Sequence, residues 1–218
     1  MNLPHVEILP ILPELILALF GIAVMIFEPF TAREHKLRLS SLALVGVLAA
    51  GLGNVLLLGA EGEYFGGIVV VDSFAVFFNF LFLIIAALSI LASREYLVRE
   101  GINFGEYFSL LLFATVGMCF MSGANELIMI FIGLEISSIS TYILAGFRRT
   151  DLKSNEAALK YFLLGSFATA FLLYGIALIF GATQSTHLPQ IASAVLTDRV
   201  DVRLVLVGAS LMLVGFGF

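Results

Sequence analysis

The chain has 218 residues, of which 61% are hydrophobic and 12% are charged, and its mean hydropathy is +1.08. Soluble domains carry about 25% charged residues, so this composition excludes an ordinary water-soluble protein. The net charge of −5 carries little information, because most charges lie between apolar runs. The single cysteine, Cys119, excludes an internal disulfide and a cysteine-ligated cluster, and it is predicted to be a small buried residue.

Seven apolar stretches are predicted to cross a lipid bilayer, which requires about 20 apolar residues per helix. Their apolar residues form continuous runs and do not alternate with polar ones, which favours helices over the strands of a β-barrel. We therefore predict an all-α fold, a polytopic transmembrane helix bundle that forms a single membrane domain. The predicted spans are 11–29, 39–59, 74–93, 107–123, 126–147, 157–181 and 202–218.

Basic residues predict the orientation of the bundle, because cytoplasmic loops carry an excess of Lys and Arg. Eight basic residues lie in the loops on one side of the membrane, whereas the loops on the other side contain only Arg199 and Arg203, just before the last span. This distribution predicts that the N-terminus lies outside the cytoplasm. Eight basic residues lie in the loops after the first, third and fifth spans: Arg33, Lys36, Arg38, Arg94, Arg99, Arg148, Arg149 and Lys153.

Two segments between the spans are apolar but too short to cross the membrane. Residues 64–73 are typical of an extended or interfacial segment. Residues 187–196, with Pro189 near their start, are typical of a short interfacial helix. A plain loop is the alternative interpretation of both.

The seventh span contains Gly208, Gly215 and Gly217 and is still apolar at Phe218. One interpretation of the glycines is close helix packing, and the other is a broken helix of the kind that marks ion sites in transporters. No polar flank follows the span, which indicates a fragment of a longer chain.

Glu135 is the strongest candidate for chemistry inside the membrane. It lies nine residues after Glu126, about 13 Å along a helix. A charge at this depth costs on the order of 3 kcal/mol, so the carboxyl group must be neutral, paired or next to water. Ser138 and Tyr142 share its helix face and are predicted to support it by hydrogen bonding. The simpler alternative is a protonated glutamate that only joins helices.

Lys160 is the second candidate, four residues after Glu156. Its ammonium group either relays protons or extends along the helix to the cytoplasmic surface. Counted from the intervening loop, Lys160 and Glu135 differ in depth by about 12 Å. The spacing therefore does not predict a direct salt bridge between them.

Other polar residues are predicted to be structural. Glu14 and Glu28, near the two ends of the first span, are expected to reach the lipid headgroups. Glu126 suits the positive end of the fifth helix dipole. Ser137 and Thr141 form a pair of small residues that lets a neighbouring helix approach closely.

Two strings around these candidates resemble a known family. NELIMIFIGLEISSISTYIL contains Glu135, and NEAALKYFLLGSFATAFLLYGIAL contains Lys160. Both are similar to subunit N of bacterial NADH-quinone oxidoreductase, respiratory complex I. The resemblance covers about 11–218 and is strongest over 105–183.

The resemblance implies an antiporter-like membrane subunit of about fourteen helices with two inverted five-helix repeats, each containing a broken helix. Residues 1–93 would supply three N-terminal helices, and 107–218 most of the first repeat, which is truncated. It further implies that the complex couples electron transfer from NADH to quinone with proton translocation, and that Glu135 and Lys160 take part in the proton path.

The resemblance also implies what lies outside this subunit. NADH, FMN, Fe–S clusters and quinone would be handled by the complex as a whole, so no catalytic, cofactor-binding or metal-binding residue is predicted in this chain. The expected partners are other membrane subunits of complex I and the lipid bilayer, with no nucleic acid. The expected location is the bacterial plasma membrane.

Two rival functions remain open. Subunits of multisubunit Na⁺/H⁺ antiporters and of membrane-bound hydrogenases share this helical unit and its GLE glutamate, although the strings around Glu135 favour subunit N. A membrane scaffold is the other rival, but it does not account for a glutamate at mid-membrane.

Overall fold

Helices make up most of the chain in this computed structural model, which describes residues 8–32, 35–102, 104–197 and 200–217. A short two-stranded hairpin is inserted between the second and third helices. The helices are α1 (Leu12–Phe27), α2 (Leu37–Val55), α3 (Ser73–Arg99), α4 (Glu106–Ser122), α5 (Leu127–Ala145), α6 (Leu152–Thr183), α7 (Leu188–Leu196) and α8 (Val202–Phe216), and the strands are β1 (Gly62–Tyr64) and β2 (Val69–Val71).

The predicted all-α bundle is confirmed, because each predicted span coincides over most of its length with one of the helices α1–α6 and α8. In the described part of the chain, five helices are long and apolar enough to cross a membrane: α1 with the 3-10 turn before it, α2, α3, α5 and α6. The remaining two, α4 and α8, are apolar but have 17 and 15 residues.

Helices α3 and α6 extend beyond their predicted spans into charged sequence. Helix α3 continues to Arg99, and α6 starts at Leu152, where the Asp151 carboxylate accepts a hydrogen bond from the Lys153 amide at 3.1 Å. Such an N-cap stabilises the first turn independently of hydrophobicity. Hydropathy therefore marked the apolar part of each helix and missed its polar end.

The helices form two packed groups. Buried residues of α1–α4 make the first core, which includes Leu17, Val47, Ile90 and Leu112. A second, smaller core joins α5 and α6, with residues of α8 packed against it. The contact between α4 and α5 connects the two groups.

The hairpin lies over one end of the first group and confirms the extended segment predicted at 64–73. Its strands are antiparallel, with Glu63 opposite Val70. The turn between them needs the left-handed backbone of Gly66 and Gly67, which glycine adopts without steric penalty. The Val70 amide donates to the Gly123 carbonyl at 2.8 Å, so the hairpin is attached to the α4–α5 turn.

Helix α7 confirms the short helix predicted at 187–196. The segment before it is bonded to the start of α5: the Leu127 amide donates to the Thr186 carbonyl at 2.9 Å, and the Leu188 amide donates to the Asn125 carbonyl at 3.0 Å. The hairpin, the α4–α5 turn and this segment thus form a continuous cap of extended structure.

The opposite end carries the basic loops. Arg148 Nη1 lies 3.2 Å from Glu100 Oε2, which ties the α5–α6 loop to the end of α3. Lys36 donates to Glu28, both side chains are only 10% exposed, and the ammonium lies 4.8 Å from the Phe104 ring centroid. The expectation that Glu28 reaches the headgroups is therefore wrong, because its carboxylate is buried against a cation of the same chain.

Lys36→Met is expected to destabilise the protein by about 3 kcal/mol, because it leaves the Glu28 carboxylate buried without its cation. The measurement is the temperature at which the full-length protein unfolds. The double variant Lys36→Met, Glu28→Met should recover most of the loss. Equal losses in the single and double variants would show that the pair itself is unimportant.

Candidate functional site between α5, α6 and α8

Glu135 lies in the middle of α5 and faces α6. The helix starts at Leu127, because the backbone of the preceding residue, Glu126, is extended and not helical. Glu135 is partly buried, and Thr169 Oγ1 on α6 donates a hydrogen bond to its Oε1 at 2.8 Å. The carboxyl group therefore has a polar partner on a second helix.

A cavity of about 140 Å³ lies beside this contact, between α5, α6 and α8. That volume has room for several water molecules. Its polar lining groups bring together both supporting residues predicted from sequence, Ser138 and Tyr142, with Tyr161 and Thr169 of α6. The arrangement suits hydrogen-bonded water next to a membrane carboxyl group.

Tyr142 is held in this cavity by a close fit against α6. Its hydroxyl occupies the space above Gly165, where a Cβ atom would lie 1.8 Å from the hydroxyl oxygen. Its ring packs edge-on against Tyr161, with the centroids 4.7 Å apart. Glycine at 165 is therefore required for Tyr142 to take this position.

Lys160 lies away from Glu135 in this structure. Its ammonium group is 2.5 Å from Glu156 Oε1, and its side chain is 69% exposed. Thr169, which contacts Glu135, is nine residues further along α6, so Lys160 lies about 13 Å nearer the loop. The two residues form no ion pair, in agreement with the depth argument from sequence.

The backbone of α5 next to Glu135 packs directly on α4. A Cβ atom at Gly117 would lie 2.4 Å from the Gly133 carbonyl oxygen and 2.6 Å from the Ser137 amide nitrogen. Ser137 thus lies at a close helix contact as predicted, but its small partner is Gly133 and not Thr141. The Thr141 hydroxyl instead donates to the Ser138 carbonyl within α5.

The glycines of α8 also serve close packing. A Cβ atom at Gly208 would lie 2.9 Å from the Gly175 carbonyl oxygen, and one at Gly215 would lie 2.9 Å from the Ala168 carbonyl oxygen. The packing interpretation is confirmed for Gly208 and Gly215. The broken-helix interpretation stays a prediction.

The remaining acidic candidates have structural partners of different kinds. The Glu126 carboxylate accepts a hydrogen bond from the Thr186 hydroxyl, so it joins α5 to the cap. Glu14 is only 5% exposed and faces Asn79 of α3. The expectation that Glu14 reaches the headgroups is wrong, because the hairpin and the helices around it cover this end of α1.

The sequence analysis missed Thr169, Gly165 and Tyr161. Gly165 and Thr169 are four residues apart on α6, so they share one helix face, and this spacing was the available signal.

Among the described residues, no group of three or more His, Cys, Asp or Glu side chains is placed to hold a metal ion.

Thr169→Val is expected to slow any proton transfer through Glu135 by about tenfold or more, because valine keeps the shape of threonine but removes the hydroxyl that donates to Glu135. A hydrogen bond to a charged group stabilises that group by about 1.5–3 kcal/mol, and this stabilisation would be lost. The measurement is proton pumping into vesicles that contain the full-length protein. Thr169→Ser keeps a hydroxyl and should retain pumping; equal effects of the two variants would contradict this role.

Comparison of the sequence with known proteins finds related membrane subunits. Residues 124–218 match the family described as NADH:quinone oxidoreductase/Mrp antiporter, TM. The chain is 46% identical over 209 residues to NADH-quinone oxidoreductase subunit N of Trichlorobacter lovleyi, a match that covers 95% of this chain and 43% of the relative. It is 42% identical over 212 residues to subunit N 1 of Solibacter usitatus, covering 97% and 44%. The chain thus spans less than half the length of these relatives.

Solved structures show the same fold. A chain of respiratory complex I from Thermus thermophilus with bound aureothin matches with a TM-score of 0.76 and 30% identity, over 94% of this chain and 43% of that chain. A chain of an archaeal membrane-bound sulfane sulfur reductase matches with a TM-score of 0.79 and 23% identity, over 97% and 44%. The second likeness concerns the fold alone.

Proposed function

We propose, because this chain is similar over nearly all its length to subunit N of bacterial NADH-quinone oxidoreductases, that it serves in a respiratory complex I. There it would help to couple electron transfer from NADH to quinone with proton translocation. The observation that carries the proposal is Glu135, a carboxyl group in a transmembrane helix that meets Thr169 beside a polar-lined cavity. Such groups inside membranes mark ion and proton paths.

Glu135 would act as an electrostatic switch. A cation that approaches a carboxyl group favours its ionised form, and a cation that withdraws favours the protonated form. Quinone reduction elsewhere in the complex would drive such charge movements. Thr169 would steady the carboxylate when it is ionised, and water in the cavity beside Ser138 and Tyr142 would carry the proton.

Lys160 would serve at the loop end of the same path. Its exposed ammonium group and its distance from Glu135 support a relay through water and do not support a direct contact. The Glu156 carboxylate would hold the Lys160 ammonium group at that end of the path.

The subunit would contribute to an oxidoreductase without carrying a redox centre. In this proposal, NADH, FMN, the Fe–S clusters and quinone belong to the rest of the complex, and the partners are its other membrane subunits and lipid. Residues 1–93 would hold the three N-terminal helices and 107–218 most of the first antiporter-like repeat.

The location would be a bacterial plasma membrane with the N-terminus outside. Successive helices run in opposite directions, so every second loop lies on the same side, and this supports the orientation. The described basic residues of the first, third and fifth loops share one end of the bundle, to which the Arg148–Glu100 contact also belongs. Cytoplasmic loops are enriched in such residues.

A subunit of a Na⁺/H⁺ antiporter is the second candidate, because the description of the matching family names both classes. The relatives at 46% and 42% identity are named as subunit N, which favours complex I. The two candidates differ in their need for Na⁺ and for NADH.

The test uses vesicles from cells that lack the full-length protein and from cells in which it is restored. We expect NADH-to-quinone electron transfer and the accompanying pH gradient to be lost and then recovered, equally in Na⁺ and K⁺ media. Na⁺-dependent proton exchange without NADH would establish the antiporter instead. Unchanged electron transfer after deletion would overturn the complex I assignment.

A further inference from the structure

Four polar side chains meet inside the first group of helices, at the end that the hairpin covers. Glu14 lies in the first turn of α1, Asn54 in the last turn of α2, Asn79 in the second turn of α3, and Ser122 ends α4. Four separate helices thus each contribute one polar group to one buried place. None of these groups belongs to the Glu135 site.

The cluster is buried and its carboxyl group has no cation. Glu14 and Asn79 are each 5% exposed, and Asn54 is fully buried. Glu14 forms no ion pair with any residue that the structure describes. Its Oε1 accepts one long hydrogen bond, at 3.5 Å from Asn79 Nδ2, and its buried Oε2 has no hydrogen-bond partner in the protein. A buried carboxylate with so little compensation favours its protonated form.

The hydrogen bonds around Asn79 fix which Glu14 oxygen carries the proton. Asn54 Nδ2 donates to the Val76 carbonyl at 2.9 Å, so Asn54 Oδ1 turns towards Asn79. The Ser122 hydroxyl donates to Asn79 Oδ1 at 2.8 Å. Asn79 therefore presents its amide hydrogens to Glu14 Oε1, which suits the carbonyl oxygen of the acid. The proton then lies on Oε2.

A small cavity adjoins Glu14. It has a volume of about 10 Å³, and its lining includes Glu14, Asn79, Gly123 and the valines of β2. This is about the space that one water molecule needs, and polar groups are present to bind it. A water molecule there would accept a hydrogen bond from the protonated Oε2.

We propose that Glu14 is a second proton-binding group of this chain, protonated inside the helix bundle and hydrogen-bonded through Oε2 to one water molecule under the hairpin. The site is built by α1–α4 and is independent of the function proposed for Glu135. Its ligands are a proton and a water molecule.

Infrared spectra of the purified full complex test the protonation. We expect Glu14→Gln to remove a protonated-carboxyl band that shifts on transfer to heavy water. The exposed Glu95 of α3 provides the matched control, because Glu95→Gln should leave the protonated-carboxyl band in place. Loss of carboxylate absorption from Glu14→Gln, with the protonated-carboxyl region unchanged, would overturn the proposal.

A high-resolution electron microscopy map of the wild-type complex tests the water and needs no variant to assemble. We expect density for one water molecule within hydrogen-bond distance of Glu14 Oε2. An Oε2 atom that instead pairs with a cationic side chain, or that contacts protein atoms alone, would overturn the proposal.

Discussion

Glu135→Gln in the full-length protein is expected to lower both NADH-to-quinone electron transfer and proton pumping by about tenfold or more, the scale at which a positioned proton-transfer group acts. Glutamine has the size of glutamate and an oxygen that can accept the hydrogen bond from Thr169. It cannot change its charge. The complex should therefore assemble while the coupled reaction fails, as measured on purified complex in vesicles.

Glu95→Gln is the control for this experiment, because Glu95 is exposed on α3 and lies outside the proposed proton path. It should leave both rates near those of wild type. If Glu135→Gln also assembles and pumps normally, Glu135 only joins α5 to α6 and the switch assignment is wrong.

Gly117→Ala is expected to lower the stability of the protein strongly. The added methyl group would lie 2.4 Å from the Gly133 carbonyl oxygen and 2.6 Å from the Ser137 amide nitrogen, and both are backbone atoms that a side-chain rotation cannot move. Helices α4 and α5 would have to separate. Overpacking of this kind costs about 3 kcal/mol. The amount of subunit found in assembled complex, and its thermal stability, should both fall.

Gly51→Ala in α2 is the matched control. A Cβ atom at Gly51 meets nothing within 4 Å, so the same chemical change occurs without a collision. Alanine favours a helix over glycine by about 1 kcal/mol, so this variant should be neutral or slightly more stable. A similar loss in both variants would show that helix contact at Gly117 is not the cause.

Much of the fold follows from the sequence, because a membrane requires long apolar runs and helical backbone bonding. That requirement predicted a helix in each of the seven apolar runs. The 64–73 and 187–196 segments were recognised because they are apolar but too short to cross a membrane. Helix ends were less predictable: α3 and α6 continue into charged sequence, where hydrogen bonding and the Asp151 cap matter more than hydropathy.

Site residues could be predicted from the sequence within a single helix, but contacts between helices could not. Glu135 and Tyr142 were found because a polar residue inside an apolar run is conspicuous in one dimension. Thr169 was missed because its importance arises from a contact between helices, and a lone threonine carries no sign of that in the sequence. Glu14 was misplaced for the same reason: its burial depends on Asn79 and the hairpin, 48 or more residues away.

The length of α6 has a consequence for Lys160. A helix of 32 residues is about 48 Å long, whereas the hydrocarbon layer is about 30 Å thick. Projecting equally on both sides, α6 would extend about 9 Å beyond each boundary, which places Lys160 only about 3 Å inside. The apolar part of α6 can adjust to a thinner or thicker layer by tilting, which would change this depth. Bilayer thickness therefore sets how far the Lys160 ammonium group lies from bulk water.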